Sequence, residues 1–148
     1  MINKVNDQKE LQLRTENDLR NALLKILKSN GLHPRTEIPF LSRSLDVVYR
    51  CTDGSITVIE VKRSPKHIRR ALYQAKMCLP GANKVYVCTL QYNMTERLKN
   101  AFRDLGVGLI FLSPKHGRFS MHYIIPAGRN GRKRGEYTSI LRKALKQY

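Results

Sequence analysis

Two carboxylates and a lysine stand on neighbouring apolar segments of this chain. Asp46 lies in the run 45–48 (LDVV), and Glu60 and Lys62 lie in the run 59–62 (IEVK). An unpaired charge is costly to bury among apolar residues, so each acid needs a compensating metal or cation. Lys62 follows Glu60 by two positions, which on a strand places both side chains on one face. This pattern is typical of a divalent-metal phosphodiesterase site.

The acid pair has the chemistry that a magnesium ion prefers. Mg²⁺ takes oxygen ligands and keeps several waters, so one or two carboxylates on a rigid scaffold are enough to hold it against a phosphate. Asp46 and Glu60 would supply these oxygens, and the carbonyl of Val61 would be a further hard ligand. Lys62 would orient or help to deprotonate the attacking water and stabilise the charge of the transition state.

Hydrophobic periodicity and turn signals predict the elements that must position these residues. They are a helix over 15–30, an extended edge segment over 34–41, hairpin strands over 44–50 and 55–62 around a turn at 52–54, a helix over 65–79, a strand over 84–90, a helix over 94–105, and strands over 107–112 and 120–125 around a turn at 114–117. This order predicts an α/β fold, a mixed β-sheet flanked by helices.

The chain divides by composition near its end. Its 148 residues, 41% of them hydrophobic, suit one domain, which we place at 1–128. Residues 129–148 form a basic C-terminal extension, with a glycine-punctuated run followed by a short helix over 137–147. The N-terminus lacks the layout of a signal peptide, and the three cysteines suit reduced core thiols better than disulfides or zinc. We therefore expect a cytoplasmic location, or a host-cell interior if the source is viral.

The strongly positive charge indicates a polyanionic partner. Lys and Arg number 28 against 11 Asp and Glu, a net charge of +17. Nucleic acid is favoured over a membrane surface, because a membrane-bound basic helix would carry Trp and this chain has none.

Taken together, these motifs resemble the PD-(D/E)XK nuclease superfamily. Its signature is an acid ending one strand, a Glu-x-Lys on the next, an acid on the preceding helix and often a glutamine on the following helix. The resemblance covers roughly residues 15–90, with Leu45 where the motif's name has proline. It implies the restriction-endonuclease-like fold, Mg²⁺ or Mn²⁺ dependence and hydrolysis of DNA, with Asp46, Glu60 and Lys62 as catalytic residues. The spacing is most similar to archaeal Holliday-junction resolvases and RecB-type nuclease domains.

Two further catalytic positions follow from the resemblance. Glu16 would be the helix acid, on the stripe that faces the sheet; alternatively Thr15 caps the helix with Asp18, and Glu16 only complements the helix dipole. Glu37 is a weaker alternative for the third acid. Gln74 would fix Glu60 or Lys62 or contact the DNA backbone, whereas a lone helical glutamine is otherwise usually a solvated surface residue.

Basic residues near the motif and in the extension are the predicted nucleic-acid contacts. No acid balances those between residues 63 and 84, so an external anion or salt must offset their repulsion. The full set of predicted nucleic-acid contacts is Arg43, Arg63, Lys66, Arg69, Arg70, Lys76, Arg129, Arg132, Lys133 and Arg134. The expected partner is DNA, with branched DNA favoured and a homodimer as the form that would bind it. The alternatives are a RecB-type or restriction-type nuclease acting on ends or linear duplex, and a non-catalytic nucleic-acid-binding module.

Overall fold

The computed structural model describes residues 15–128 and 135–146. The predicted contacts Arg129, Arg132, Lys133 and Arg134 lie outside these ranges. The elements are α1 (Glu16–Ser29), β1 (Arg35–Phe40), β2 (Arg43–Arg50), β3 (Ile56–Val61), a 3₁₀ turn (Pro65–His67), α2 (Ile68–Lys76), β4 (Lys84–Leu90), α3 (Glu96–Leu105), β5 (Gly108–Lys115), β6 (Arg118–Ile125) and α4 (Gly135–Lys146).

The sheet is mixed, as the sequence predicts. In the described ranges it has six strands in the order β1 to β6, with β3, β4 and β5 parallel to one another and the outer pairs antiparallel. Helix α1 packs on one face, and α2, α3 and α4 pack on the other. The predicted fold class, an α/β fold with a mixed sheet flanked by helices, is confirmed.

Helix α1 begins and packs as its sequence pattern indicates. The Thr15 hydroxyl accepts a hydrogen bond from the Asp18 N–H, and the Asp18 carboxylate accepts one from the Thr15 N–H, which forms a capping box. Leu19, Leu23 and Leu27 recur at helical spacing and are fully buried against the sheet. The first turn of α1, which carries Glu16, is therefore fixed beside the strands.

Strand β3 is buried along its whole length and divides its side chains between the two faces. Ile59 and Val61 contact the α1 side, and Ile56 and Val58 contact the α2 side. Since side chains alternate along a strand, Glu60 projects toward α2. The acid is therefore placed in a core layer rather than on the surface.

Strand β2 loses its regular alternation at Asp46. Val48 and Leu45 both belong to the α2-side core, whereas strict alternation would place Leu45 with Val47 on the α1 side. The β1–β2 pairing omits Asp46 and Glu37, and the backbone of Glu37 has a φ of 54°, unusual for a residue other than glycine. This irregularity turns the backbone just where β2 presents its acid.

The predicted turn over 114–117 is wrong in its first half. Pro114 and Lys115 continue β5, Pro114 pairs with Phe119, and the reversal is confined to residues 116 and 117. Strand β4 ends at Leu90, opposite Leu112, so β5 has only one neighbour at Pro114. Proline lacks the N–H that a second neighbour would need, and it is tolerated where a strand is paired on one side only.

Helix α4 packs against the β1 side of the sheet. Leu141 is fully buried in the same core as α2 and α3, and the ring of Tyr137 lies edge-on to that of Phe40 with centroids 6.0 Å apart. The proposed boundary at residue 128 stays a prediction.

Cys51, Cys78 and Cys88 are free, and no helix in the described ranges is long and apolar enough to cross a membrane.

Candidate active site

The β2–β3 hairpin brings Asp46 and Glu60 together. Val47 pairs with Ile59 in an antiparallel register, so one further step along both strands places Asp46 opposite Glu60. The ladder stops before that step. Asp46 Oδ2 instead accepts a hydrogen bond of 2.8 Å from the backbone N–H of Val61. The hairpin thus ends in two adjacent carboxylates, one of them anchored to the main chain.

Glu60 lies in an environment that opposes its ionisation. It is 2% exposed. Burial first, and then the charge of Asp46 and a hydrogen bond with its carboxyl group, raise the pKa of Glu60 to about 8. Arg43 and Lys62 act in the opposite direction but do not offset these effects. A divalent cation placed beside Glu60 would offset these effects and stabilise its carboxylate form.

The residues present fit a hard, partly hydrated cation such as Mg²⁺. The N–H and C=O of a strand residue point to the same side, so the carbonyl of Val61 faces the side of its hydrogen bond to Asp46. Within the described ranges, no group of three or more His, Cys, Asp or Glu could hold a metal. Two carboxylates and one carbonyl leave positions for water, unlike a closed zinc site.

Lys62 and Glu16 form the second part of the site. Lys62 follows the end of β3, and its Nζ lies 3.6 Å from Glu16 Oε1 on the first turn of α1. The predicted Thr15–Asp18 cap is confirmed, and it leaves the Glu16 side chain available to Lys62. A cleft of about 80 Å³ opens there, lined by Glu16, Asn17, Arg20, Asp46 and Val61.

Glu37, the alternative third acid, does not line this cleft. Its side chain is 71% exposed and forms an ion pair of 3.5 Å with Arg20. Glu16 therefore shares the cleft with Asp46 and Glu37 does not, and the catalytic role of either residue stays a prediction.

Arg20 also lines the cleft, although its sequence pattern did not mark it as a candidate. Its guanidinium donates to Asn17 Oδ1 at 2.6 Å and lies 3.5 Å from Glu37 Oε1, while its buried Nε has no hydrogen-bond partner among the described residues. The available signal was its spacing, because Arg20 follows Glu16 by four positions and shares its helix face. Arg20 brings a fork of donors to the wall of the cleft.

Arg43 points inward, although we predicted it as a DNA contact. Its Nη2 lies 3.5 Å from Glu60 Oε1, and its Nη1 donates a hydrogen bond of 2.7 Å to the backbone carbonyl of Gln74. Arg43 thus links the buried acid to α2. Gln74 is half-buried and contributes this carbonyl, and the catalytic role predicted for its side chain stays a prediction.

Cys78 completes the α2 side of the acid pair. Its Sγ lies 3.9 Å from Glu60 Oε1, and burial raises the pKa of the Cys78 thiol to about 12. A neutral thiol adds no charge beside Glu60 and makes only a weak hydrogen bond.

The remaining predicted DNA contacts lie at the surface. All five of the predicted contacts in and before α2 are exposed, namely Arg63, Lys66, Arg69, Arg70 and Lys76. Their side chains flank the helix that covers Glu60, which places positive charge beside the candidate site.

Comparisons with known proteins show the fold. The sequence matches no protein-family model, and no curated protein is significantly similar in sequence. A protein of unknown function from Silicibacter pomeroyi has a similar structure, with a TM-score of 0.66, 16% identity, and coverage of 87% of this chain and 82% of that one. A repair endonuclease from Pyrococcus abyssi has a TM-score of 0.50, 21% identity, and coverage of 64% of this chain and 47% of that one. An EndoMS–double-stranded DNA complex has a TM-score of 0.47, 22% identity, and coverage of 64% and 44%.

The first two likenesses show the class of architecture, an α/β fold shared with a repair endonuclease. The chain spans about half the length of the Pyrococcus abyssi protein.

Proposed function

We propose that this protein is a metal-dependent DNA endonuclease that hydrolyses phosphodiester bonds and selects branched DNA. The observation that carries the proposal is the buried Glu60 carboxyl beside Asp46, with Lys62 in contact with Glu16 at the same strand end. A carboxyl group whose ionisation is opposed by burial and by a neighbouring carboxylate is one that a divalent cation stabilises. The net charge of +17 and the fold likeness to a repair endonuclease support DNA as the substrate.

The side chains of the site suggest how hydrolysis would proceed. Asp46, Glu60 and the Val61 carbonyl would hold Mg²⁺ or Mn²⁺, which when bound supplies charge neutralisation and Lewis acidity at the phosphate. Glu16, which lines the cleft, contacts the Lys62 ammonium group, and this group would orient the attacking water and stabilise the phosphorane-like transition state. Arg20 would receive a non-bridging phosphate oxygen through its fork of donors.

The oligomeric state follows from the proposed substrate. A four-way junction presents two equivalent strands, and a two-fold symmetric dimer would present two equivalent cleavage sites to them. We therefore propose a homodimer, which sedimentation of the free protein and of its junction complex would detect.

A cleavage assay tests the proposal. A labelled four-way junction, a flap, a linear duplex and a single strand are incubated with Mg²⁺ or Mn²⁺ and with wild type, Asp46→Asn or Asp104→Asn. Asp104 is an exposed acid on α3, so Asp104→Asn makes the same charge change outside the site. We expect paired nicks at the junction that Asp46→Asn abolishes and Asp104→Asn retains.

The other results assign the protein differently. Metal-dependent cutting of ends or of linear duplex would replace junction selectivity with a RecB-type or restriction-type activity. Tight binding unchanged by Asp46→Asn, with no cutting of any substrate in either metal, would overturn the proposal in favour of a non-catalytic nucleic-acid-binding module.

A further inference from the structure

Helix α2 exposes two large apolar side chains side by side. Tyr73 is 61% exposed and Met77 is 59% exposed, and their spacing of four places them next to each other along the helix. The opposite face of α2 is fully packed, so neither residue is needed to fill the core. A solvent-exposed aromatic ring beside a solvent-exposed thioether favours the binding of a partner that covers both.

The surroundings of this pair are uniformly positive. Every charged residue from position 63 to position 84 is Lys or Arg. Lys66, Arg69, Arg70 and Lys76 are exposed on or beside α2 and, with Tyr73 and Met77, form what we call the Tyr73 surface. Such a surface complements a partner that has an anionic backbone and flat apolar groups. A nucleic acid with accessible bases has both features.

The Tyr73 surface lies on the helix that covers the acid pair. Gln74 and Cys78 contact Arg43 and Glu60 from the inner side of α2. Tyr73 and Met77 precede these two residues by one position each, which is a rotation of about 100° around the helix. A helix with its side chains is about 10–12 Å across. The apolar pair therefore lies within about one helix diameter, roughly 10–12 Å, of the contacts that α2 makes with Arg43 and Glu60.

We propose that Tyr73 and Met77 form a stacking platform for an unpaired base, through which the protein selects DNA that contains unpaired nucleotides near the cleavage position. This inference rests on the proposed function, since it assigns the recognition of branched DNA to named residues. A paired base hides both of its faces in the duplex stack, whereas an unpaired base offers one face to an aromatic ring. The flanking Arg and Lys side chains bind the adjacent phosphates without reading sequence.

Binding measured without cleavage tests the platform separately from catalysis. Asp46→Asn protein in chelator is titrated with a single strand, a gapped duplex and a blunt duplex of equal length. Tyr73→Ala and Met77→Ala are added to this background, with Tyr73→Phe as the rescue and Tyr123→Ala as the control. Tyr123 is 52% exposed and lies on β6, at the far edge of the sheet from β1.

Tyr73→Ala is expected to weaken binding of the single strand and the gapped duplex by about tenfold, because stacking on one aromatic side chain contributes about that factor. Blunt-duplex binding should change less than about twofold, since the phosphate contacts remain. Tyr73→Phe should bind like the parent, and Tyr123→Ala should leave all three affinities unchanged.

Two results would overturn the platform. They are an equal loss for all three DNAs, which would indicate a general effect on charge or folding, and no loss for any of them, which would leave the apolar pair to a protein partner. Thermal unfolding of each variant separates the folding effect. If Tyr73→Ala shows the selective loss but wild type cuts no substrate, the platform proposal holds and the endonuclease proposal fails. If wild type cuts DNA but Tyr73→Ala binds all three DNAs like the parent, the endonuclease proposal holds and the platform proposal fails.

Discussion

Asp46 accepts a hydrogen bond of 2.8 Å from the backbone N–H of Val61, so an acid of β2 takes the place of a main-chain partner at the end of β3. This bond fixes the Asp46 carboxylate relative to Glu60 without any contribution from a ligand. The acid pair is therefore preorganised by the hairpin itself, and Asp46 contributes to stability as well as to the proposed chemistry.

Two substitutions of Asp46 should separate these contributions. Asp46→Ala leaves the Val61 N–H without its partner, and we expect it to lower the free energy of unfolding by about 1–3 kcal/mol. Asp46→Asn keeps an oxygen that can accept the bond, so it should cost less, although both variants should lose the proposed cleavage. Urea denaturation at neutral pH measures the difference, and an alanine variant as stable as the asparagine variant would show that this bond adds nothing.

The raised pKa of Glu60 predicts how stability depends on pH. Its carboxyl group binds a proton more tightly in the folded chain, with a pKa of about 8 against 4.5. The folded state is therefore favoured below about 4.5, and this contribution is lost as the pH rises to about 8. We expect the metal-free protein to melt at progressively lower temperature across this interval.

Glu60→Gln is the control for that pH dependence, because a neutral amide has no proton to lose. The difference in Tm between wild type and Glu60→Gln should change across the interval, and Mg²⁺ should raise the wild-type Tm most at its alkaline end. A difference that stays constant with pH would mean that Glu60 ionises at its ordinary pKa.

The positions of the acids could be predicted from sequence because local patterns determine them. Apolar flanks and a turn signal place Asp46 and Glu60 on paired strands, and hairpin pairing then brings opposite residues together. The cap of α1 was equally local, since Thr15 and Asp18 are three residues apart. In both cases the interacting groups are close along the chain or related by one turn.

The surroundings of Glu60 depend on contacts between distant parts of the chain. Arg43 meets Gln74 only because α2 packs over the hairpin, and Arg20 reaches the cleft only through the packing of α1. A charged residue in a polar stretch has the same sequence pattern whether its side chain turns outward or inward. The sequence therefore predicted a phosphate contact for Arg43. It offered no reason to select Arg20, rather than another basic residue on a helix, as a residue of the cleft.

Replacing Arg43 should destabilise the region around Glu60. Arg43→Lys keeps the charge, but a single ammonium group cannot reproduce a planar fork that contacts both Glu60 and the Gln74 carbonyl. We expect a loss of about 1–2 kcal/mol in the free energy of unfolding, because the half-buried carbonyl loses a charged donor. Hydrogen exchange should show increased opening of α2. Protection equal to wild type would mean that Arg43 does not link these elements.

Arg20→Lys should affect catalysis more than binding. The lysine keeps a positive charge in the cleft but loses the forked donors proposed to contact the phosphate, so kcat should fall by about tenfold or more with a small change in Kd. Arg97→Lys is the matched control, since it makes the same change at an exposed position on α3 and should leave kcat unchanged. Equal kcat in Arg20→Lys and wild type would remove Arg20 from the proposed site.

The basic run before α4 should contribute to DNA affinity through its charge, and substitutions test this better than truncation. Removing residues 129–148 would also remove Leu141, which is fully buried in the core. We therefore expect the combined change of Arg129, Arg132, Lys133 and Arg134 to Ala to weaken binding and reduce the slope of log K against log salt by about 0.9 for each phosphate that the protein no longer neutralises. Leu141→Ala is the control, because it should cost about 2–5 kcal/mol of stability and leave the slope of the folded protein unchanged. A quadruple variant with the wild-type slope would place this run outside the DNA interface.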